Sequence, residues 1–411
     1  MISKDIVSEV NEYIKGNWKN CIRKASGDDG YLLKLPFPYT VPCTKGIFRS
    51  LFYWDTYFTN LGLIRQGLGE LAKNNTDNLL YEVSTYGNVL NSNTVDMKNR
   101  SQPPYLSMMV RDIYDITKDQ EWLEEAYRTL KKEYDFWMTQ RITHIGLNRH
   151  FHNATDWELK QFYSLVHDRI KLTASYEEEK ISTGSQFLSE GETGWDFTPR
   201  FNGRGADFIP VDLNSNLLIY EKNFAYFSSI LGNDEECLWT ELAAKRVELM
   251  NHYCWNEEAG LFMDYDYVKG NYSNVASLAS YHPLWAGAAT YEQAEKTLDN
   301  LERFEYNYGL ASCELGPRTT MFQWDYPNGW PPLHFIVINA LMNYGFTKDA
   351  KRIAQKYVTT VTRNFMSTGD LWEKYNVVEG TTNVADEYEM PKMMGWTAGV
   401  FIYATEFLES K

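Results

Sequence analysis

The sequence predicts an all-α protein whose helices form two concentric rings, an α/α toroid. Three observations carry that prediction. Some stretches repeat apolar residues at i, i+3/i+4 with charged residues between them, the pattern of a surface helix with one buried stripe. Other stretches are apolar nearly all round, and such a helix must be surrounded by protein. Strand signals are few. Striped helices outside and wholly apolar helices inside give paired rings, whereas a globin or a simple bundle needs fewer than 411 residues.

Taken along the chain, Leu123, Tyr127, Leu130, Tyr134 and Trp137 form one stripe among Lys, Glu and Arg, and predict an outer helix. From about Thr143 to Glu192 the composition is irregular and mixed in charge. That stretch reads as a long excursion over one mouth of the ring, a common seat of specificity. Gly260 to Asp266 reads as a short hairpin strand. Phe335 to Tyr344 reads as an inner helix stopped by Gly345 in the C′ position. Ala350, Ile353, Ala354, Tyr357 and Val361 predict a second outer helix, and Gly395 to Leu408 a second inner one. No Pro/Ser-rich linker interrupts the chain, so residues 1–411 read as a single domain.

Charge and cysteine content exclude several function classes. The net charge is −15, from 40 basic and 55 acidic residues, so nucleic-acid phosphates would be repelled. No apolar run is long enough to span a membrane. The five cysteines are odd in number and no pair has metal-ligand spacing, so a reduced, cytoplasmic protein is the expectation. The first residues carry no apolar signal-peptide core.

Chemistry concentrates in three blocks: Gly194-Trp195-Asp196-Phe197, Gln323 to Trp330 (Gln-Trp-Asp-Tyr-Pro-Asn-Gly-Trp), and Trp372-Glu373-Lys374-Tyr375. Each sets a carboxylate among aromatic rings. Rings stack on the apolar faces of a sugar, and carboxylates bind its hydroxyls and exchange protons with its glycosidic oxygen. Cleaving an acetal needs one protonated and one ionised carboxyl group, roughly 6.5–9.5 Å apart in inverting enzymes. Asp196 and Glu373 are candidates for that pair. Asp325 is equally aromatic in setting, but Pro327-Asn328-Gly329 marks a turn that it would tie down. Asn99 to Pro104 ends in a Pro pair that prevents helix. Its Arg100 and Gln102 could either donate to hydroxyls or hold a rigid loop. His150-Phe151-His152 lacks the companions a metal site needs. No phosphate loop or nucleophile elbow is present, and the three Trp-Asp pairs are spaced far too widely for propeller repeats.

These residues resemble the trehalase family of glycoside hydrolases from about Phe48 to Phe407. Phe48-Arg49 with Tyr53 to Tyr57 is similar to the family's first signature. Asn99 to Pro104 and Glu192 to Phe197 resemble two further blocks. Gln323 to Trp330 is very close to the second signature, and Glu373-Lys374-Tyr375 and Gly395-Trp396-Thr397 resemble the closing blocks. The resemblance implies an (α/α)6 barrel, inversion of configuration, a small neutral sugar as partner and no metal or organic cofactor. It implies Asp196 as general acid and Glu373 as general base. Around the sugar it implies Phe48, Trp54, Asp55, Asn91, Arg100, Ser101, Gln102, Gly194 and Glu387, and the aromatic blocks add Trp324 and Trp396. Glu387 rivals Glu373 as base on sequence alone.

Two departures stand out. Ile47 occupies a position that is Arg in the family, and the family's Arg-Pro-Glu-Ser run has no counterpart around Asn153 to Glu158. Each lost charged hydrogen bond costs roughly 1.5–3 kcal/mol. The expected activity is therefore inverting hydrolysis of a small α-glucoside, trehalose or a related disaccharide or glucosyl conjugate. The alternatives are a sugar-binding protein without catalysis and, less in keeping with the placement of the seven His, a sugar epimerase.

Overall fold

The computed structural model describes residues 4–24, 30–318, 320, 322–384 and 388–410. Fourteen α-helices are found among them. In order they are α1 (Lys4–Cys21), α2 (Tyr53–Arg65), α3 (Gly69–Tyr86), α4 (Leu106–Thr117), α5 (Gln120–Gln140), α6 (Asp156–Ile170) and α7 (Glu177–Glu192). There follow α8 (Val211–Leu231), α9 (Glu236–Tyr253), α10 (His282–Ala286), α11 (Tyr291–Asp299), α12 (Pro331–Asn343), α13 (Thr347–Thr368) and α14 (Gly395–Glu409).

Six helices close a ring by neighbour contacts: α2 packs on α4, α4 on α8, α8 on α10, α10 on α12, α12 on α14, and α14 back on α2. Most of them are apolar. Every residue from Tyr53 to Leu63 of α2 is buried, as are most of α12 and α14, whereas α4 keeps Arg111 and its last turn exposed. The striped helices α3, α5, α9 and α13 lie outside against them. Thus the architecture is the (α/α)6 barrel. The physical reason is the burial rule: a helix without a polar face has no stable position at the surface.

Local signals set the helix ends. Asp119 caps α5 by accepting from the Trp122 amide at 3.0 Å. Pro331 and Pro332 sit in the first turn of α12, where a missing N–H costs nothing, so the helix begins earlier than its apolar run. It ends at Gly345, whose φ of +80° is the left-handed C′ conformation. The tightest crossing in the ring is α2 on α14. There a Cβ on Gly399 would lie 1.9 Å from the Phe58 carbonyl oxygen, so only glycine fits.

Two expectations change. The stretch from Thr143 to Glu192 is not wholly irregular, because it contains α6 and α7 packed on each other. The sequence carried a signal for this. Thr155 and Glu158 form a capping box, and Leu159, Tyr163, Val166 and Ile170 are buried at helical spacing. Gly184 lets α7 approach α6, since a Cβ there would meet the Leu159 carbonyl oxygen at 2.4 Å. This pair has its own small core of Val166, Ile170, Phe187 and Phe197. Gly260 to Asp266 is two short strands rather than one. Leu261–Phe262 pairs with Trp255–Asn256, while Tyr265–Asp266 pairs with Phe208–Ile209 and with Asn271–Tyr272. Gly260, at φ +64°, starts the first of them. No helix among the described residues is long and apolar enough to cross a membrane.

Candidate active site

One cavity of about 850 Å³ gathers nearly all the predicted site residues. Trp54 and Asp55 come from the first turn of α2, and Phe48 from the loop before it. Asn91, Arg100 and Gln102 come from the loop between α3 and α4, and Gly194 and Asp196 from the segment after α7. Trp324 precedes α12, Glu373 lies between α13 and α14, and Trp396 opens α14. Two predicted residues are not among them. Ser101 is fully buried, and its hydroxyl donates to the Val89 carbonyl at 2.7 Å, so it braces the loop instead of facing the cavity. Glu387 lies outside the described residues.

The loops are fixed by backbone contacts. The Gln102 side-chain oxygen accepts from the Trp54 amide at 3.1 Å, occupying a free N–H of the α2 terminus. Asn91 Nδ2 donates to the Ser101 carbonyl at 2.9 Å. Behind them Glu192, at the end of α7, is a buried hub. Arg141 Nε and Nη2 each donate to it at 2.9 Å, as does the Ser101 amide, and the Phe151 amide reaches it at 3.2 Å. His150 Nδ1 lies 3.3 Å away. The His150-Phe151-His152 run is thereby absorbed into packing, with His152 Nε2 2.8 Å from the Ser185 hydroxyl. Asp325 ties its turn, as its sequence setting suggested. Arg318 donates to both its oxygens, at 2.8 and 2.6 Å, and the Tyr326 amide donates at 2.7 Å.

The aromatic blocks assemble into a stack. Trp324 and Trp330 are parallel with centroids 3.7 Å apart, and Trp195 stacks on the other side of Trp324 at 5.3 Å. Cations close both ends: the Arg200 guanidinium lies 4.3 Å from the Trp195 ring and Lys374 Nζ 4.9 Å from Trp330. Trp54 and Trp396 meet the stack from the cavity side, with centroids 5.6 and 6.3 Å from Trp324. Gly194, at φ +75°, lets the chain pass Trp54, since a Cβ there would lie 2.8 Å from the indole.

Asp196 and Glu373 line the same cavity in different surroundings. Burial pushes the Asp196 carboxyl above its ordinary value, opposed by the charges of Arg169 and Arg100. Arg169 Nη2 lies 3.7 Å from Asp196 Oδ2. The Asp196–Phe197 peptide bond is cis, and Gln323 Nε2 donates to the Asp196 carbonyl at 2.6 Å. Glu373 is almost fully buried and accepts from Lys374 Nζ at 2.8 Å and from the Tyr388 hydroxyl at 2.8 Å. Its own carbonyl takes the Trp396 indole N–H at 2.9 Å. Asp55 lies within the field of both carboxylates. Burial first, then the Glu373 charge, raise it to about 8, so at neutral pH it is a hydrogen-bond donor.

Sequence reasoning missed three contributors. Tyr388 and Lys374 hold Glu373; Lys374 stood in a recognised block, but only folding gives Tyr388 its partner. The third is α6, one face of which lines the cavity with Glu158, Gln161, Phe162, Leu165, Val166 and Arg169. The expected shortage of guanidinium groups is thus partly made good by Arg169, while Ile47 does stand at the rim, 62 % exposed.

Known proteins match this chain across its length. A family model described as trehalase matches residues 1–409. A periplasmic trehalase of Xanthomonas campestris pv. campestris is 30 % identical over 418 residues, covering 95 % of this chain and 72 % of that protein. A periplasmic trehalase of Escherichia coli is also 30 % identical, over 95 % of this chain and 73 % of its own length. The structure of neutral trehalase Nth1 from Saccharomyces cerevisiae superposes with a TM-score of 0.79 at 27 % identity, covering 97 % of this chain and 80 % of that one. The cytoplasmic expectation is corrected by the two bacterial relatives, which are periplasmic. Its basis was weak physically. All five cysteines are free and four are buried, and a core of this size folds without disulfides in either compartment.

Proposed function

The chain belongs to the trehalase family and is a glycoside hydrolase acting on a small sugar, and from that premise we propose that Asp196 and Glu373 are the acid and base that split an α-glucoside such as trehalose with inversion. One observation carries the assignment: both carboxyls line one cavity, Asp196 beside Arg169 and Glu373 under hydrogen bonds from Lys374 and Tyr388. Desolvation raises the Asp196 carboxyl, which favours the protonated form that a donor to the leaving oxygen needs. Glu373 receives a cationic and a phenolic hydrogen bond, and both stabilise negative charge on its oxygens. In the reaction the glycosidic C–O bond breaks as the Asp196 proton passes to the leaving oxygen. Water adds to the anomeric carbon from the opposite face and gives its proton to Glu373.

The sugar between them would rest on Trp54 and Trp396, with the edge of Trp324 beside them and Asp55, Asn91, Arg100 and Gln102 meeting its hydroxyls. Glu387 and Phe48 remain sugar contacts in this reading, and the whole chain works as one catalytic domain. The test is glucose release from trehalose by wild type, Asp196→Ala and Glu373→Ala, with NMR of the first-formed anomer. Both variants should lose turnover by at least a thousandfold while keeping the wild-type circular dichroism, and the wild type should release one β-glucose per bond cleaved. Near-normal rates in Glu373→Ala would refute the base assignment, and binding of glucosides without any glucose release would favour a sugar-binding protein.

A further inference from the structure

Arginines serve this cavity in different ways. Arg141, behind the wall, is locked: Nε and Nη2 each donate to Glu192 at 2.9 Å, and both side chains are buried. Arg100 is fixed by Asn99 Oδ1 at 2.9 Å and by the Met97 sulfur at 2.7 Å. Arg169, in the last turn of α6, is held more loosely. Its Nη2 lies 3.7 Å from Asp196 Oδ2, beyond hydrogen-bond range, and the two side chains are 30 % and 43 % exposed. Its guanidinium carbon lies 4.8 Å from the centre of the Phe197 ring.

The acid and this cation have conflicting needs. Asp196, the proton donor in the function proposed above, must be protonated when the sugar is bound. A neighbouring cation favours the ionised form. Around the carboxyl stand Arg169 from α6, Arg100 from the loop before α4, Asp55 from α2, and Glu373 from the segment before α14. Desolvation favours the proton on Asp196, and the two guanidinium groups oppose it, Arg169 ahead of Arg100. Of the two, Arg100 is fixed. Arg169 lines the cavity, is partly open to solvent, and carries N–H donors that match sugar hydroxyls.

We propose that Arg169 is a positioning residue that exchanges partners during the cycle: it faces Asp196 while no sugar is bound and turns to sugar hydroxyls when substrate enters, so that Asp196 takes up a proton from solvent. That proton then passes to the leaving oxygen and departs with the leaving sugar. The inference rests on the hydrolytic reading above.

The test is the pH dependence of trehalose hydrolysis, with kcat/KM and kcat read separately. The first reports the free enzyme and the second the enzyme–substrate complex. A guanidinium beside a carboxyl is worth about 1–3 pH units, and this pair is open to solvent. The basic limb of wild-type kcat should therefore lie about one pH unit above that of kcat/KM. In Arg169→Met the kcat/KM limb should rise to meet the kcat limb, which stays in place. Asp55 titrates at about 8, but burial and Glu373 set that value, so its contribution is common to both proteins. Proton uptake gives a second reading. Glu373→Gln lacks the base, and calorimetric titration of that variant with trehalose, in two buffers of different ionisation enthalpy and midway between the two limbs, should show uptake of about half a proton. Adding Arg169→Met should abolish it. Coincident limbs in a wild type that hydrolyses trehalose overturn the exchange, as does a gap that persists in Arg169→Met, or trehalose binding to Glu373→Gln without proton uptake. No glucose from trehalose with wild type overturns instead the hydrolytic reading on which it rests.

Discussion

Glu192→Gln isolates the support of the site from its chemistry. The substitution keeps size and shape but removes a charge and one acceptor oxygen. In the structure Arg141 Nε, the Phe151 amide and His150 converge on Oε1, while Arg141 Nη2 and the Ser101 amide converge on Oε2. Whichever way the new amide turns, its NH2 group faces at least two donors that lose their acceptor. Both partners of the ion pair are buried, with side chains 1 % and 0 % exposed. Two unsatisfied buried donors at about 1–3 kcal/mol each agree with about 3–5 kcal/mol for breaking a buried pair. With an unfolding entropy of about 2.1 cal/mol/K per residue, 4 kcal/mol corresponds to a fall of about 5 °C in Tm for 411 residues.

The same hub predicts a pH signature. Burial alone would raise the Glu192 carboxyl, but the Arg141 charge and the hydrogen bond with His150 hold it well below the usual range. A group with a depressed folded value contributes stability that is present above its ordinary value of 4.5 and lost as pH falls toward the folded value. The gap in Tm between wild type and Glu192→Gln should therefore be widest at neutral pH and narrow below pH 4.5. Because the Ser101 amide hangs from Glu192, the loop bearing Arg100 and Gln102 should loosen, and KM should rise. Differential scanning calorimetry from pH 3.5 to 7.5 reads the first effect and initial rates the second. A Tm change under about 1 °C at pH 7, or a gap that does not shrink in acid, would refute the reasoning.

Two further outcomes follow from the structure. Arg169→Met removes a charge that opposes the burial-driven rise of Asp196, so the basic limb of the kcat/KM profile should move to higher pH; an unmoved limb would sever Arg169 from the acid. Gly399→Ala forces a methyl onto the Phe58 carbonyl where α2 crosses α14 and should cost about 3 kcal/mol or more by urea unfolding, whereas wild-type stability would mean that the crossing can relax.

Much of the fold was legible because burial imposes pattern. The stripes at Leu123–Trp137 and Ala350–Val361 and the wholly apolar runs at Phe335–Tyr344 and Gly395–Leu408 required outer and inner helices before any coordinates. The aromatic-acid blocks were legible as well, because a carboxylate amid tryptophans has few structural explanations. The Thr155–Glu158 capping box was present in the sequence and went unread, which hid α6. Ser101 was assigned to the sugar by its block, but nothing local distinguishes a hydroxyl that faces a cavity from one that donates to Val89.

What the sequence determined by itself is whatever depends on neighbours in the chain: which helices have a polar face, where a cap or glycine ends them, which acids sit among rings. Only the tertiary structure decided which distant groups share a space. Asp196 meets Arg169, Glu373 meets Tyr388, and one face of α6 becomes the wall beside the acid. Such pairings arise from the closing of the helical ring, and ring closure joins residues whose separation along the chain carries no periodic trace.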